Sequence, residues 1–399
     1  MSHADDRGRP LEGLVVLDLT QALSGPFATS VLADLGAEVL KVEGPAGDLT
    51  RTTPPYYVGD TSIYFHVNNR NKRGLMLDLK SAEGRETFLE LVDVADVVVN
   101  NFAPGVVDRL GIDYEALSQR KPSLVYCSIT GYGNLAGQES KRAVDLVIQA
   151  AAGGMSITGY PDLPPARAGV PTADLSAGFY AVIGILAALR RRDETGHGGL
   201  VESTLFHSQL SLLNYVAGNA EFCGQAPLPF GSGHAGTVPS QVFATGDGWI
   251  AVDAGFDRHF ASLCRVVGLP HLAVDERFSA RVARSQHRET LLSILGDVLL
   301  TRTTEDWCAR LDREEVPCSA VNDALRAVEL GRDPSQPMVE DLRVGEQRIA
   351  VFDTPIWIDG RSCHGELQPA PRLGQDTDAD VARLRGREPR GAHAQELAP

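Results

Sequence analysis

The chain has 399 residues, 43% of them hydrophobic and 22% charged, the composition of a soluble globular protein long enough for two or three domains. Its formal charge of −15 argues against a nucleic-acid partner, which needs a basic face. No apolar run reaches the ~18 or more uninterrupted residues of a membrane span, and the polar start MSHADDRGRP lacks the regions of a signal peptide, so the expectation is a cytoplasmic protein with no membrane partner.

Residues 1–10 read as a disordered lead. Residues 14–19 (LVVLDL) form a short apolar run, the mark of a buried parallel strand. A loop follows, and Pro26 suits the first turn of a helix that runs to Leu35 and stops at Gly36. Residues 38–42 predict the next strand, completing a βαβ unit. The first strand is not followed by GxGxxG, so a standard dinucleotide site is not expected. Strands at 75–79, 96–100 and 124–129 alternate with helices at 81–94, from 104 to 110, and at 142–153. This alternation predicts an α/β fold, a Rossmann-like large domain with a mainly parallel sheet.

The stretch from 168 to 205 organises the rest. A loop of small residues leads to Asp174, and Leu175, Phe179, Val182, Ile183, Leu186 and Leu189 recur at helical spacing. Arg190, Arg191 and Arg192 suit the negative end of the helix dipole, and TGHGG precedes a strand at 200–205. Asp174 reads as a helix N-cap, because its oxygens can accept first-turn amide hydrogens. It also reads as a nucleophile, since a carboxylate can attack an activated acyl group.

Beyond it, residues 206–223 predict an amphipathic helix, and 224–239 a Gly/Pro loop. Two short strands flank the turn signal TGDG at 245–248, and helices are predicted at 259–267, 289–300 and 304–313. The predicted organisation is a large domain over 1–225, a smaller α+β domain over 226–325, and a C-terminal segment over 326–399. That segment carries strands at 349–352 and 355–358 and a charged tail, disordered after about residue 387. The six cysteines show no CxxC or metal-ligand spacing, so buried thiols in a reducing compartment are expected and no metal is. Cys308 and Cys318, ten apart, are the one pair that could be redox-linked.

The 168–205 stretch resembles the signature of the family III CoA-transferases, the group containing formyl-CoA:oxalate and carnitine CoA-transferases. Further segments resemble that family in the same order: LDLTQALSGP at 17–26, DLGAEVLKVE at 34–43, NRNK at 69–72 with LDLK at 77–80, NNFAPG at 100–105 with DRLG at 108–111, and SITGYG at 128–133. The likeness continues through Gly233, His234 and FATGDG at 243–248.

The resemblance implies an interlocked homodimer and a covalent mechanism in which Asp174 becomes an aspartyl-CoA thioester. It implies coenzyme A as substrate and product, with no further cofactor. The implied CoA-binding residues are Leu23, Ser24, Leu77, Asp78, Leu79, Lys80, Asn101, Phe102, Arg109 and Arg142. Taken singly, Arg70, Lys72, Lys80 and Arg109 would read as a solvated face. Where some members carry a CoA-binding arginine after the acidic residue of the second strand, this chain has Gly44, which points to Arg51 or Arg73 as a substitute.

The segments at 126–133, 167–174 and 233–239 look most like the succinyl-CoA:dicarboxylate branch of the family. That likeness implies succinyl-CoA as donor and a small carboxylic or dicarboxylic acid as acceptor, with Arg167, Gly233 and His234 near the acid. The related α-methylacyl-CoA racemases place a histidine where this chain has Val144. A racemase, or a CoA-binding homologue without turnover, is the alternative reading.

Overall fold

Short runs of mostly buried residues, rich in valine, pair into one parallel sheet in the computed structural model, which describes residues 8–363 and 365–387. Its strands are β1 (Val15–Asp18), β2 (Glu38–Glu43), β5 (Arg73–Met76), β6 (Val97–Asn100), β7 (Val125–Thr130) and β8 (Gly199–Thr204). The two-residue strands β3 (Tyr57–Val58) and β4 (Thr61–Ser62) form a hairpin apart from it. The order is β5-β2-β1-β6-β7-β8, with every pair parallel. Counted along the chain, this is the doubly wound order whose switch point lies between the first strand and the fourth.

The connections carry α1 (Ser24–Asp34), α2 (Ile63–Asn69), α3 (Ala82–Val94), α4 (Val106–Leu110), α5 (Tyr114–Arg120), α6 (Asp145–Ala151), α7 (Thr172–Thr195), α8 (Leu205–Ser211) and α9 (Asn214–Cys223). Alternate strand residues feed opposite faces of the sheet. Val16, Val97, Val99 and Val125 pack with Leu32 of α1 and Ala177 and Ile185 of α7. Leu17, Leu40, Leu75 and Val98 pack with Phe88 and Leu91 of α3. At 24 residues, α7 is long and apolar enough to match a membrane span. Its Ala173, Ala177, Ala181 and Ile185 are nevertheless fully buried in this core.

The described residues fall into two compact units: 8–154, 167–222, 331–363 and 365–387 form the first, and 155–166 with 223–330 the second. The second has an antiparallel sheet of β9 (Ser240–Ala244), β10 (Trp249–Asp253) and β11 (Cys318–Ala320). Around it stand α10 (Asp257–Val266), α11 (Arg281–Gln286), α12 (Arg288–Leu299), α13 (Thr304–Arg313) and α14 (Ala324–Leu330). Phe243, Ile250, Phe260, Leu291 and Trp307 build its core. The fully buried Arg284 donates to the carbonyls of Val238, Phe278 and Gly255. The chain then returns to the first unit with the hairpin β12 (Val339–Val344) and β13 (Gln347–Phe352), the short pair β14 (Trp357–Ile358) and β15 (Arg361–Ser362), and α15 (Thr377–Arg385).

Several boundaries differ from the sequence expectations. The strand expected at 75–79 is Arg73–Met76: pairing with β2 ends at Met76, and the chain turns at Asp78 toward the Ser81 cap of α3. The helix expected over 206–223 is broken between α8 and α9, where Asn214 takes a left-handed φ of 43°. The helices expected from 104 and 142 begin at Val106 and Asp145. Within the expected charged tail, residues 377–385 are helical. The disorder expected at the start and after 387 concerns residues 1–7 and 388–399, which lie outside the described residues. Cys127, Cys264 and Cys363 are buried as expected, whereas Cys223 is exposed. The Cys318 thiol contacts the Cys308 carbonyl at 3.9 Å and Asp312 Oδ1 at 3.6 Å.

Candidate active site

The start of α7 corrects the N-cap reading of Asp174. The helix begins at Thr172 behind Pro171, whose side chain cannot cap it, and Asp174 is the third helical residue. The cap comes from another helix. Asp145 Oδ1 accepts the backbone N–H of Ala173 at 3.0 Å and that of Asp174 at 3.5 Å. Gln149 Nε2 holds Asp145 Oδ2 at 2.8 Å, and Gln149 Oε1 accepts the Ala168 N–H at 2.9 Å. Thr172 Oγ1 donates to Gln209 Oε1 at 2.8 Å. The loop of small residues before Asp174 is therefore pinned from α6 and α8.

The Asp174 carboxylate accepts no hydrogen bond from the described residues. Burial and the nearby Asp145 charge raise it to about 6. The phenol of Tyr64 on α2 is pushed above its usual range by burial and by Asp174, Asp48 and Asp145, so these groups share one buried electrostatic neighbourhood. A partly buried carboxylate in the first turn of a helix, more basic than usual and unengaged by the described residues, is equipped to form a bond to carbon.

Glycine explains how this helix start comes close to α1. A Cβ on Gly178 would lie 2.7 Å from Phe27 Cδ1 and 2.8 Å from the Ser24 carbonyl oxygen, so the bare backbone lets α7 lie against the first turn of α1. At the far end, a Cβ on Gly198 would fall 2.0 Å from the Leu124 carbonyl oxygen, which accounts for the glycine in TGHG. Arg192 Nη1 there donates to Asp96 Oδ1 at 2.8 Å.

A cleft of about 710 Å3 opens beyond the C-terminal ends of the strands around β1 and β6, where doubly wound sheets bind ligands. Six of the expected CoA contacts line it: Leu77, Asp78, Leu79, Lys80, Phe102 and Arg109. Residues 44–47 and Arg85 line it too. Arg85 carries no motif signal in the sequence; it follows the Ser81 cap of α3 by four residues and lines the cleft.

The other expected contacts lie outside the lining. Leu23 and Ser24 are buried at the start of α1. Asn101 braces the loop after β1, donating to the Gln21 carbonyl at 2.7 Å and accepting the Gln21 N–H at 2.9 Å. Arg142 is exposed just before α6. Arg167 lies in the loop before α7, its Nε 3.3 Å from the Ala168 carbonyl. Gly233 and His234 belong to the second unit, where the Gly233 N–H donates to the Phe230 carbonyl at 2.9 Å and the His234 N–H to the Ser240 carbonyl at 2.9 Å.

Neither proposed substitute for the arginine absent at Gly44 lines the cleft. Arg51 forks onto Glu43 at 2.8 and 2.6 Å, donates to the Pro371 carbonyl and covers the Phe65 ring. Arg73 is held by Asp380 and Asp376. Lys80, Arg85 and Arg109 are the cations on the wall. The solvated-face reading fails for Arg70 and Lys72, which are buried against Asp34 and Asp18 respectively.

The loop after β1 keeps its shape without a glycine fingerprint. Asp18 Oδ1 accepts the Thr20 N–H at 2.9 Å, and Asp18 Oδ2 accepts from Thr29 Oγ1 at 2.7 Å and Lys72 Nζ at 2.9 Å. Lys41 Nζ joins the Thr20 carbonyl to Asp48. Burial works to raise the Asp18 carboxyl, but Lys72 and Lys41 outweigh it and hold the group below the usual carboxylate range.

Comparison with known proteins agrees with this geometry. Residues 11–377 match CoA-transferase family III. Human succinyl-CoA:glutarate CoA-transferase is 38% identical over 92% of this chain and 84% of its own length. Acetyl-CoA:oxalate CoA-transferase of Acetobacter aceti is 36% identical over 92% of this chain and 93% of its own. The crystal structure of a CaiB/BaiF family protein from Brucella suis superposes with a TM-score of 0.83 at 35% identity, over 95% of this chain and all of that one. With a family match across most of its length, relatives above the 30% level, and the doubly wound sheet that the sequence led one to expect, this chain belongs to CoA-transferase family III.

Proposed function

We propose that the protein moves coenzyme A from succinyl-CoA to a small dicarboxylic acid by way of an aspartyl-CoA thioester on Asp174. The observation that carries this reading is the carboxylate itself, mostly buried, unengaged and raised to about 6 at the first turn of α7. An Asp174 oxygen attacks the thioester carbonyl; the C–O bond forms as the C–S bond breaks, giving a mixed anhydride and CoA thiolate. The thiolate attacks the aspartyl carbonyl and releases succinate, leaving the thioester on Asp174. The acceptor carboxylate then attacks the aspartyl carbonyl, thiolate leaves and returns to the acceptor's acyl carbon, and Asp174 is restored.

Support for the donor and acceptor comes from the relatives, named for succinyl-CoA with glutarate and with mesaconate. Support for CoA comes from the cleft of about 710 Å3, whose Lys80, Arg85 and Arg109 suit phosphates. Self-association is part of the proposal, because Phe179, Tyr180 and Ile183 of α7 and Leu210, Leu212 and Tyr215 beyond it leave large apolar side chains exposed in the first unit.

The test is the intact mass after addition of succinyl-CoA, with and without borohydride or hydroxylamine. A CoA-sized adduct on the peptide holding Asp174, absent in Asp174→Asn, supports the reading. An adduct with another acyl-CoA only would change the donor. No adduct at all, with α-proton exchange in deuterated water, would replace transfer by isomerisation.

A further inference from the structure

We propose that Asp145 is a positioning residue for Asp174: its carboxylate caps α7 in the nucleophile's stead and places beside it a negative charge whose repulsion is relieved when Asp174 is acylated. The proposal rests on Asp174 acting as the nucleophile. It is carried by the two hydrogen bonds from the Ala173 and Asp174 amides to Asp145 Oδ1.

The physical argument starts from the helix end. An uncapped N-terminus offers free amide hydrogens and a partial positive charge, and an acidic side chain in the first turn is stabilised by both. Left alone on α7, Asp174 would have been made a weaker base and a poorer nucleophile. Asp145 accepts the Ala173 amide and approaches that of Asp174, and its charge offsets the helix end. Gln149 keeps Asp145 aimed, with its amide on Oδ2 at 2.8 Å and its carbonyl on the Ala168 N–H. Asp145 is itself buried, so water screens the pair weakly.

Among the described residues, burial and Asp145 are what shift the Asp174 carboxyl, and no cation offsets them. The remaining elements packed on α7 bring Asp34 of α1, paired with Arg70; Cys127 of β7, buried and neutral; His207 of α8, on Thr204; and the exposed Glu202 of β8. The Tyr64 phenol of α2 and Asp48 share the neighbourhood, the phenol held neutral there. In the mixed anhydride and the thioester, Asp174 carries no charge: the C–O bond forms, the C–S bond breaks, and the negative charge departs on the CoA thiolate. Repulsion from Asp145 is therefore present in the free enzyme and gone in both covalent states, which favours them.

Asp145→Asn tests this, because asparagine keeps a cap oxygen for the Ala173 amide and removes the charge, while its amide group replaces the oxygen that accepts from Gln149 Nε2. Asp145→Ser is the second variant should the first fail to fold. The readout is the titration of the Asp174 carboxyl in protein carrying 13C-labelled aspartate, assigned by loss of its signal in Asp174→Asn. The trapped aspartyl-CoA fraction at fixed succinyl-CoA is the parallel readout. The expected result is a midpoint lowered by about one pH unit and a trapped fraction reduced about tenfold, with thermal stability kept. An unchanged midpoint in a folded variant overturns the proposal. A shifted midpoint in a protein whose wild type forms no adduct on Asp174 removes the nucleophile reading itself, and with it the chemical role given to Asp145.

Discussion

Lys72 Nζ lies 2.9 Å from Asp18 Oδ2 with both side chains wholly buried, and this pair fixes the loop that leads from β1 into α1. Asn69 Oδ1 and the Pro26 carbonyl complete the lysine's donors. Removing one partner of such a pair leaves a buried charge without compensation. Lys72→Met is expected to destabilise the fold by about 3–5 kcal/mol. Lys72→Met with Asp18→Asn should recover much of that loss. Urea unfolding of the three proteins checks it; equal losses in single and double variants would contradict the pairing.

Asp174 should cost stability in the fold it serves. Its carboxyl is raised to about 6 from an ordinary 3.8, so the folded state binds the extra proton between these values and stability falls as pH rises through them. A shift of this size corresponds to about 3 kcal/mol. Asp174→Asn is therefore expected to be more stable than wild type at pH 8, by up to that amount, with the advantage gone near pH 4. Denaturation across this range checks the sign. Adduct formation in the wild type should show an acid limb near pH 6.

Three cations face one cleft, and their substitution should read out as binding. Lys80→Ala, Arg85→Ala and Arg109→Ala are each expected to raise KM for the CoA ester several-fold with kcat nearly unchanged, more at low salt than at high. Dephospho-CoA esters, lacking the 3′-phosphate, separate their roles: the residue facing that phosphate is the one whose loss no longer matters with the shorter ligand. A fall in kcat alone would place the residue elsewhere.

Gly178→Ala is expected to push α7 away from α1. The added carbon would sit 2.7 Å from Phe27 and 2.8 Å from the Ser24 carbonyl, and forcing extra atoms into such a contact costs about 1–3 kcal/mol. Thermal unfolding measures that cost. The same variant should form the Asp174 adduct more slowly, because the nucleophile rides on the displaced turn. An unchanged melting point would mean the helices tolerate the shift.

The fold was legible wherever hydrophobic periodicity sets the structure. LVVLDL, DVVVN and the helix after Asp174 are long or apolar enough to declare themselves, and strand alternation gives a parallel sheet. The site was legible in part. LDLK, Phe102 and Arg109 meet in the cleft as their motifs imply. Asp145 carries no mark in the sequence, because capping between two helices leaves no local signal; its partners are 28 and 29 residues away. Arg70 and Lys72 looked like surface charge for the same reason: Asp34 and Asp18 lie 36 and 54 residues off. Arg51 and Arg73 looked available because their carboxylate partners are visible only in three dimensions.

The return of α15 to strand β5 has a bearing on how the protein is made. Asp376 Oδ2 accepts the Gly74 N–H at 2.8 Å, the Asp376 N–H reaches the Gly74 carbonyl at 2.9 Å, and Thr377 Oγ1 accepts the Met76 N–H at 3.0 Å. The groups that close the rim of the parallel sheet are thus translated about three hundred residues after the strand they cover. Until they leave the ribosome, the nascent sheet presents a bare backbone edge of the kind that recruits strands from other chains. Residues 223–330 are complete before that moment. Synthesis therefore passes through a stage in which the second unit has all its residues while the first, though begun earlier, is still open.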